Sequence, residues 1–315
     1  MVTKHPHPPP MYKYLNVEGA RATLEKQTFK WTKPSQFKAK FKDDMDMTIS
    51  KLFPEDDEKS LEIIRDNFNT ILANNVNQQL THSDPRVALI QQAFRNNPAA
   101  VNIVQKELQQ DSISDIYDID HIRRVSEKHV SEINKFLQGY RVLCGSDNIL
   151  SERMWYDYAA DGKGIALCIK PSPISQKDSV FKLFKAVQYF DERPTLFAST
   201  LEFLKSSLFE DQQALIVRII DRVIYSKTNA YLYESEYRCV WPLLPHEEHL
   251  DDLYIKFHAE EITGLYLGEN TEDDDKLLFV KLAKQINPDI SIYQISKIKN
   301  EILQANDVSQ DYYQI

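Results

Sequence analysis

Glycine is scarce in this chain, with 7 in 315 residues. None falls into G-x-G-x-x-G or G-x-x-x-x-G-K-[ST], the spacings at which backbone N–H groups close on a phosphate, so a Rossmann or P-loop cofactor site is not expected. Cysteine is scarcer still. Cys144, Cys168 and Cys239 form no C-x-x-C pair, and so odd and scattered a set points away from a disulfide framework and toward a reducing compartment, read here as the cytoplasm. No apolar run approaches the roughly 18 residues that a membrane-spanning helix needs, so no membrane partner is expected. The opening MVTKHPHPPPM has no apolar signal core and reads as a flexible tail over residues 1–10. His5 and His7 within it lack the fixed ligand set of a metal site, and His246 and His249 stand three apart where a zincin helix needs four. No metal is expected. No nucleophile elbow accompanies any Ser or Cys, and no cluster of metal-binding acids followed by a strand lysine marks a nuclease.

The charge balance, 38 basic against 47 acidic residues, gives −9. Such a chain repels polyanions on average but leaves room for a local cationic cleft. With 42% hydrophobic residues it can bury a full core.

Periodicity divides the chain. MYKYLN, the stretch from Glu18 to Lys26 and TFKWTKP read as strand, helix, strand. From about Glu55 to Leu137 the period becomes helical, carried by Leu61, Ile64, Phe68, Leu72 and Val76 and again by Ile122, Val125, Val130, Ile133 and Phe136. Asn97 is placed to cap and Pro98 to open one helix there, and Gly139 to end another. Strand signals return at YRVLCGS, GIALCIKP, FKLFKAVQYF and YRCVW, and later at ITGLYLG and DISIYQIS. Helices are expected over Ser151 to Ala160, in two pieces between Leu196 and Tyr225, and from a cap near Thr271. The class is α+β, because the strands cluster without regular β-helix-β alternation. The expected organisation is a core over 11–54 and 139–305, a helical insertion over 55–138 and a C-terminal tail over 306–315.

Three short stretches could carry chemistry. LYESEYRCVW places Glu234 and Glu236 two apart; on a strand both would project into one space. Paired carboxylates suit a reaction that passes through a cation. The commoner explanation of such a pair is a solvated strand end, with Glu234 facing water and Glu236 paired to Arg238 or Lys227. In RMWYDYAADGKG, Trp155 and Tyr158 are three apart and share a helix face, either stacking on a planar ring or filling the core. In MYKYL, Tyr12 and Tyr14 point one way and Lys13 the other.

In order along the chain, Tyr12-Lys13-Tyr14, Trp155 to Ala159 with Gly164, Val187 to Asp191, and Glu234 to Arg238 resemble the motifs of the bacterial family catalogued as domain of unknown function 2971 (DUF2971). The likeness spans roughly residues 11–300, with Asp43 and Asp44 standing where that family usually has Asn-Asp-Pro. The family is in turn distantly similar to the ADP-ribosyltransferase fold, which implies a split antiparallel β-sheet core and cleavage of the nicotinamide glycosidic bond of NAD+. The same resemblance implies that Glu236 stabilises the oxocarbenium-like ribose and that Glu234 is a general base. It further implies that Trp155 or Tyr158 stacks on nicotinamide, that Tyr12 and Lys13 hold the adenosine ribose or pyrophosphate, and that Arg238 orients Glu236 or contacts phosphate. On this expectation NAD+ is the substrate, a protein or nucleic acid the acceptor, and toxin or phage defence the setting. It requires Glu236 beside a hollow joined to the aromatic helix and the first strand. The competing expectation is a non-catalytic interaction or sensor module, with a partner protein docked on the helical insertion.

Overall fold

MYKYL forms the first strand, β1 (Met11–Leu15), of the computed structural model of the chain, which describes residues 9–37, 47–75, 118–171, 179–247, 249–297 and 303–312. The chain divides into two units, one of Met1–Asp46, Gln138–Asp191 and Lys227–Ile315, the other of Met47–Leu137 and Glu192–Ser226.

In the first unit β1 leads into α1 (Val17–Lys26) and β2 (Thr28–Thr32). The Asn16 side chain accepts from Gly19 N, and Gln27 closes the helix in the left-handed region, so both ends are set locally. The remaining strands are β3 (Tyr140–Ser146), β4 (Ile165–Ile169), β5 (Lys185–Ala186), β6 (Gln188–Phe190), β7 (Ser226–Thr228), β8 (Glu236–Pro242), β9 (Asp252–Lys256), β10 (Ile262–Leu267), β11 (Ser291–Lys297) and β12 (Leu303–Asp307). Apart from β6 and β7, they form one sheet in the order β12-β11-β10-β4-β1-β3-β2-β9, with β8 on β3 and β5 on β8. All its pairings are antiparallel except β10 with β11.

β3 organises the sheet. One of its edges pairs with β8 along its whole length, from Tyr140↔Pro242 to Ser146↔Glu236. The other edge is shared: it meets β1 at Tyr12↔Ser146 and β2 at Thr32↔Val142. The sheet opens between those two contacts, and Lys13 Nζ donates to the carbonyl of Cys144 there at 3.0 Å, giving a strand oxygen a side-chain partner.

β4 reads IALCI and is buried at all five positions because both faces of the sheet are covered. One face packs Met11, Leu167 and Leu265 against α1 and the long C-terminal helix Asp273–Ile286 through Leu24, Phe279 and Val280. The other packs Tyr14, Ala166 and Tyr266 against Trp155 and Ala159. Each fully buried Leu or Ile of this centre contributes about 1.5–3 kcal/mol. Gly164, just ahead of β4, is required by close approach: a Cβ there would lie 2.0 Å from the Leu15 carbonyl oxygen.

The second unit is helical, with Asp57–Asn75, Ile119–Leu137, Thr200–Phe209 and Gln212–Ile219. The stretch 192–226, expected in the sheet domain, belongs here. Glu55 Oε2 accepts from both the N–H and the hydroxyl of Thr200, Ser60 Oγ meets Thr200 Oγ1 at 2.9 Å, and Phe203 packs its ring against Phe53 and Phe197. A buried polar latch and an aromatic cluster thus join segments about 140 residues apart in sequence. Residues 76–117, with Asn97 and Pro98, lie outside the described residues, as do Asp43, Asp44, His5 and His7.

Three further expectations are corrected. FKLFKAVQYF is not one strand: Val180–Leu183 is a 3-10 turn that buries Phe181 and Phe184 at a spacing of three, with β5 and β6 after it. The C-terminal tail is ordered through 312, since β12 pairs with β11, Val308 N–H donates to Ile292 O and Ile292 N–H to Ser309 Oγ. The N-cap of the following helix is Glu272, one residue past Thr271, and it makes no side-chain cap bond, while the Thr271 hydroxyl donates to Gly164 O at 3.0 Å. Among the described residues no helix is long and apolar enough to cross a membrane.

Candidate active site

Glu236 is the first residue of β8, and Glu234 ends the 3-10 stretch Asn229–Glu234 ahead of it. The two are not strand neighbours as the alternation predicted, because Ser235 between them is left-handed at φ 43° and reverses the chain. They converge all the same. Lys227 Nζ lies 2.6 Å from Glu234 Oε2 and 3.3 Å from Glu236 Oε2, and all three side chains are buried. Arg238, two residues along β8 on the same face, closes a two-pronged bond on Glu236: Nε to Oε1 and Nη2 to Oε2, each at 2.8 Å.

The surrounding elements fix this geometry. Ser146 Oγ, opposite Glu236 in the ladder, donates to Glu234 O at 2.6 Å. Glu236 N–H donates to Tyr189 Oη at 2.8 Å. The aromatic helix Glu152–Tyr158, capped by Ser151, grips the 3-10 stretch from the far side. Tyr233 Oη reaches Asp157 Oδ2 at 3.1 Å, Arg153 lies over the Tyr233 ring, and Tyr158 Oη donates to Glu234 Oε1 at 2.7 Å.

Burial and charge then split the carboxylates. For Glu236, burial pushes the pKa up, but Arg238 and Lys227 outweigh it and hold the group well below the usual carboxylate range. For Glu234, burial and the adjacent Glu236 raise the pKa, only partly offset by Lys227 and Tyr158. The Tyr158 hydroxyl is pushed up by burial and by Glu234, so it stays a proton donor. Two carboxyls in unlike environments provide one fixed charge and one group able to exchange a proton. With Glu234 ionised, two cations match two anions, so no bare negative patch exists.

A cavity of about 320 Å³ opens where β1 and β2 part, within the size range of small-molecule sites. Lys13 and Tyr158 both line it, together with residues of α1 and β2. The hollow therefore joins the first strand to the aromatic helix as the reading required, but it reaches the carboxylates through Tyr158 and not through Glu236, which is absent from its wall. Burial lowers the Lys13 pKa, opposed by Cys144 and Glu236.

Of the other expected residues, Tyr14 also lines the cavity, whereas Tyr12, Trp155 and Arg238 do not. Trp155 is core: its ring packs edge-on against Tyr14 at 5.1 Å and its indole N–H donates to Ile149 O. Although Trp155 and Tyr158 are three apart, only Tyr158 keeps exposed surface, at 42%. The Tyr14 hydroxyl is bonded to Asn148 O at 2.6 Å. Tyr12 sits on the opposite face from Lys13, its ring edge-on to Tyr266 at 5.3 Å. Arg238 orients Glu236 through the ion pair. Glu234 does not face water. Lys227 and Tyr189 were not singled out as site residues: Lys227 was named only as an ion-pair partner of Glu236, a pairing that forms alongside that of Arg238, and Tyr189 was visible only inside the Val187–Asp191 motif. Among the described residues no group of three or more His, Cys, Asp or Glu is placed to hold a metal ion.

Compared with known proteins, residues 154–239 match the family described as protein of unknown function (DUF2971). The matched stretch runs from the aromatic helix to the middle of β8 and so contains Tyr158, Tyr189, Lys227, Glu234, Glu236 and Arg238. No curated protein and no solved structure matches the chain.

Proposed function

We propose that the chain transfers ADP-ribose from NAD+ to a macromolecular acceptor, protein or nucleic acid, as a bacterial toxin or phage-defence effector would. The observation that carries this reading is the Tyr158–Glu234 hydrogen bond at 2.7 Å, which couples the wall of a ligand-sized cavity to a buried carboxyl pair of divided pKa. In the proposed step the C1′–N bond of NAD+ breaks and its electron pair leaves with neutral nicotinamide. The ribose carbon becomes electron-poor, the acceptor's nucleophile forms the new bond to C1′, and Glu234 takes the proton that the nucleophile sheds. Glu236, which does not line the cavity, is the fixed charge that through Lys227 holds Glu234 at the end of Tyr158, and it positions that acid without facing the developing cation. The wall contact falls to Tyr158, and Trp155 supports it from the core.

Nicotinamide release from NAD+ tests the reading. The parent should release it, and Glu234→Gln and Glu236→Gln should each lose most of that activity while retaining the parent's circular dichroism spectrum. A folded Glu236→Gln protein that cleaves NAD+ as fast as the parent ends the assignment. The alternative, an interaction module acting through the helical segment, gains no support from the residues of that segment that are described.

A further inference from the structure

The far wall of the same cavity carries groups that the proposed reaction does not use. β2 and β9 pair with Lys30 directly opposite Tyr254. Their alternation sends Phe29, Trp31 and Leu253 into the core, which leaves Lys30 and Tyr254 together on the other face. Both line the cavity, as does Lys26 from the last turn of α1. Tyr254 is 55% exposed, and the Lys26 ammonium lies 5.9 Å from its ring centre. Lys30 is paired with Asp252 at 2.9 Å, so its charge already has a carboxylate partner.

The lining holds three lysines, Lys13, Lys26 and Lys30, and no carboxylate, in a chain of net charge −9. Lys30 is already matched by Asp252 and burial weakens the charge of Lys13, so the attraction for an anion rests chiefly on Lys26, in a chain whose acidic residues are in excess. A half-exposed aromatic ring with the Lys26 ammonium over it suits a planar ring that displaces that ammonium, since every nucleobase can stack on such a face while its phosphates meet the displaced cation.

We propose that Tyr254, Lys26 and Lys30 form a subsite for the adenosine diphosphate half of the ligand, with the base on Tyr254 and the two phosphates at Lys26 and Lys30. The subsite rests on the NAD+ reading for the identity of the donor, and it places the reactive ribose toward Lys13 and Tyr158.

Isothermal titration of the full chain with NAD+, ADP-ribose, ADP and nicotinamide mononucleotide separates the two claims. Tyr254→Ala should weaken NAD+, ADP-ribose and ADP about ten-fold, the scale of one lost base stack, and leave nicotinamide mononucleotide unchanged. Lys26→Gln should weaken ADP and flatten the salt dependence of its binding. Both positions are on the surface side of their elements, and thermal melts should match the parent. ADP binding that depends on Tyr254, with no NAD+ binding, upholds the subsite and overturns the donor. Unchanged ADP affinity in Tyr254→Ala, an equal loss for nicotinamide mononucleotide, or no binding of any of the four to the parent overturns the subsite.

Discussion

The Tyr158 hydroxyl donates to Glu234 Oε1 at 2.7 Å, across 76 residues of sequence. This contact links a wall of the cavity to the buried charge cluster, and under the proposed function it is the route between ligand and cluster. Tyr158→Phe removes the donor while keeping the ring. Leaving one oxygen of a buried carboxylate short of a partner costs about 1–3 kcal/mol, which a urea denaturation midpoint reads directly. Nicotinamide release should fall further than stability alone explains, with NAD+ affinity little changed.

Lys227 is bonded to both carboxylates. Replacing it by Met leaves Arg238 to balance two buried acids, and breaking a buried charge network in this way costs about 3–5 kcal/mol. Lys227→Met combined with Glu234→Gln should recover a large part of that loss, because the double variant restores one cation to one anion. Urea denaturation of the two singles and the double measures the coupling, and simple additivity would contradict the network.

Acid should act on the two glutamates with opposite sign. Glu236 is held below an unfolded value of about 4.3, so its stabilisation is complete above that value and drains away as pH falls toward the lower folded one. Glu234 is raised, so the folded state takes up its proton more readily and gains stability on acidification. Between pH 6 and pH 3 the denaturation midpoint of Glu236→Gln should therefore fall less steeply than the parent's, and that of Glu234→Gln more steeply. If Glu234 is the base of the proposed reaction, the rate of nicotinamide release should rise with pH through a value above the ordinary glutamate range, an inflection that Glu234→Gln should abolish.

Ser235 brings the pair together by adopting φ 43°, a conformation that costs a side-chain-bearing residue about 1–2 kcal/mol. Ser235→Gly should be neutral or slightly stabilising and should keep activity. Ser235→Val should destabilise by a similar amount in the other direction and lower activity, since a β-branched residue resists that turn. Thermal melts and nicotinamide release on the two variants decide the point.

Much of the sheet was legible because its signals are local. IALCI is apolar at every position and became a strand buried on both faces, and Asn16 and Ser151 cap helices that begin where they stand. β9 and β12 were missed: DLYIK and LQAND are short edge segments whose partners, β2 and β11, supply what their own pattern lacks. The stretch 192–226 was assigned to the sheet domain for the same reason, since contacts far apart in sequence, Thr200 with Glu55 and Ser60 and Phe203 with Phe53, place it with the helices.

The sequence by itself determined that the chain is α+β, where most of its strands and helices lie, and that Glu234, Glu236, Arg238 and Tyr158 are present to be used, because periodicity, capping and spacing act over a few residues. Only the tertiary structure decided which of them meet. Lys227 enters between the carboxylates from another segment, Trp155 turns into the core while Tyr158 reaches Glu234, and the hollow forms where β1 and β2 part along β3. Burial and charge pairing set the two acids apart: the cations stand close by in the chain, Arg238 two residues from Glu236 and Lys227 seven from Glu234, whereas the burial comes from β3 and the aromatic helix, which are adjacent only once the chain has folded.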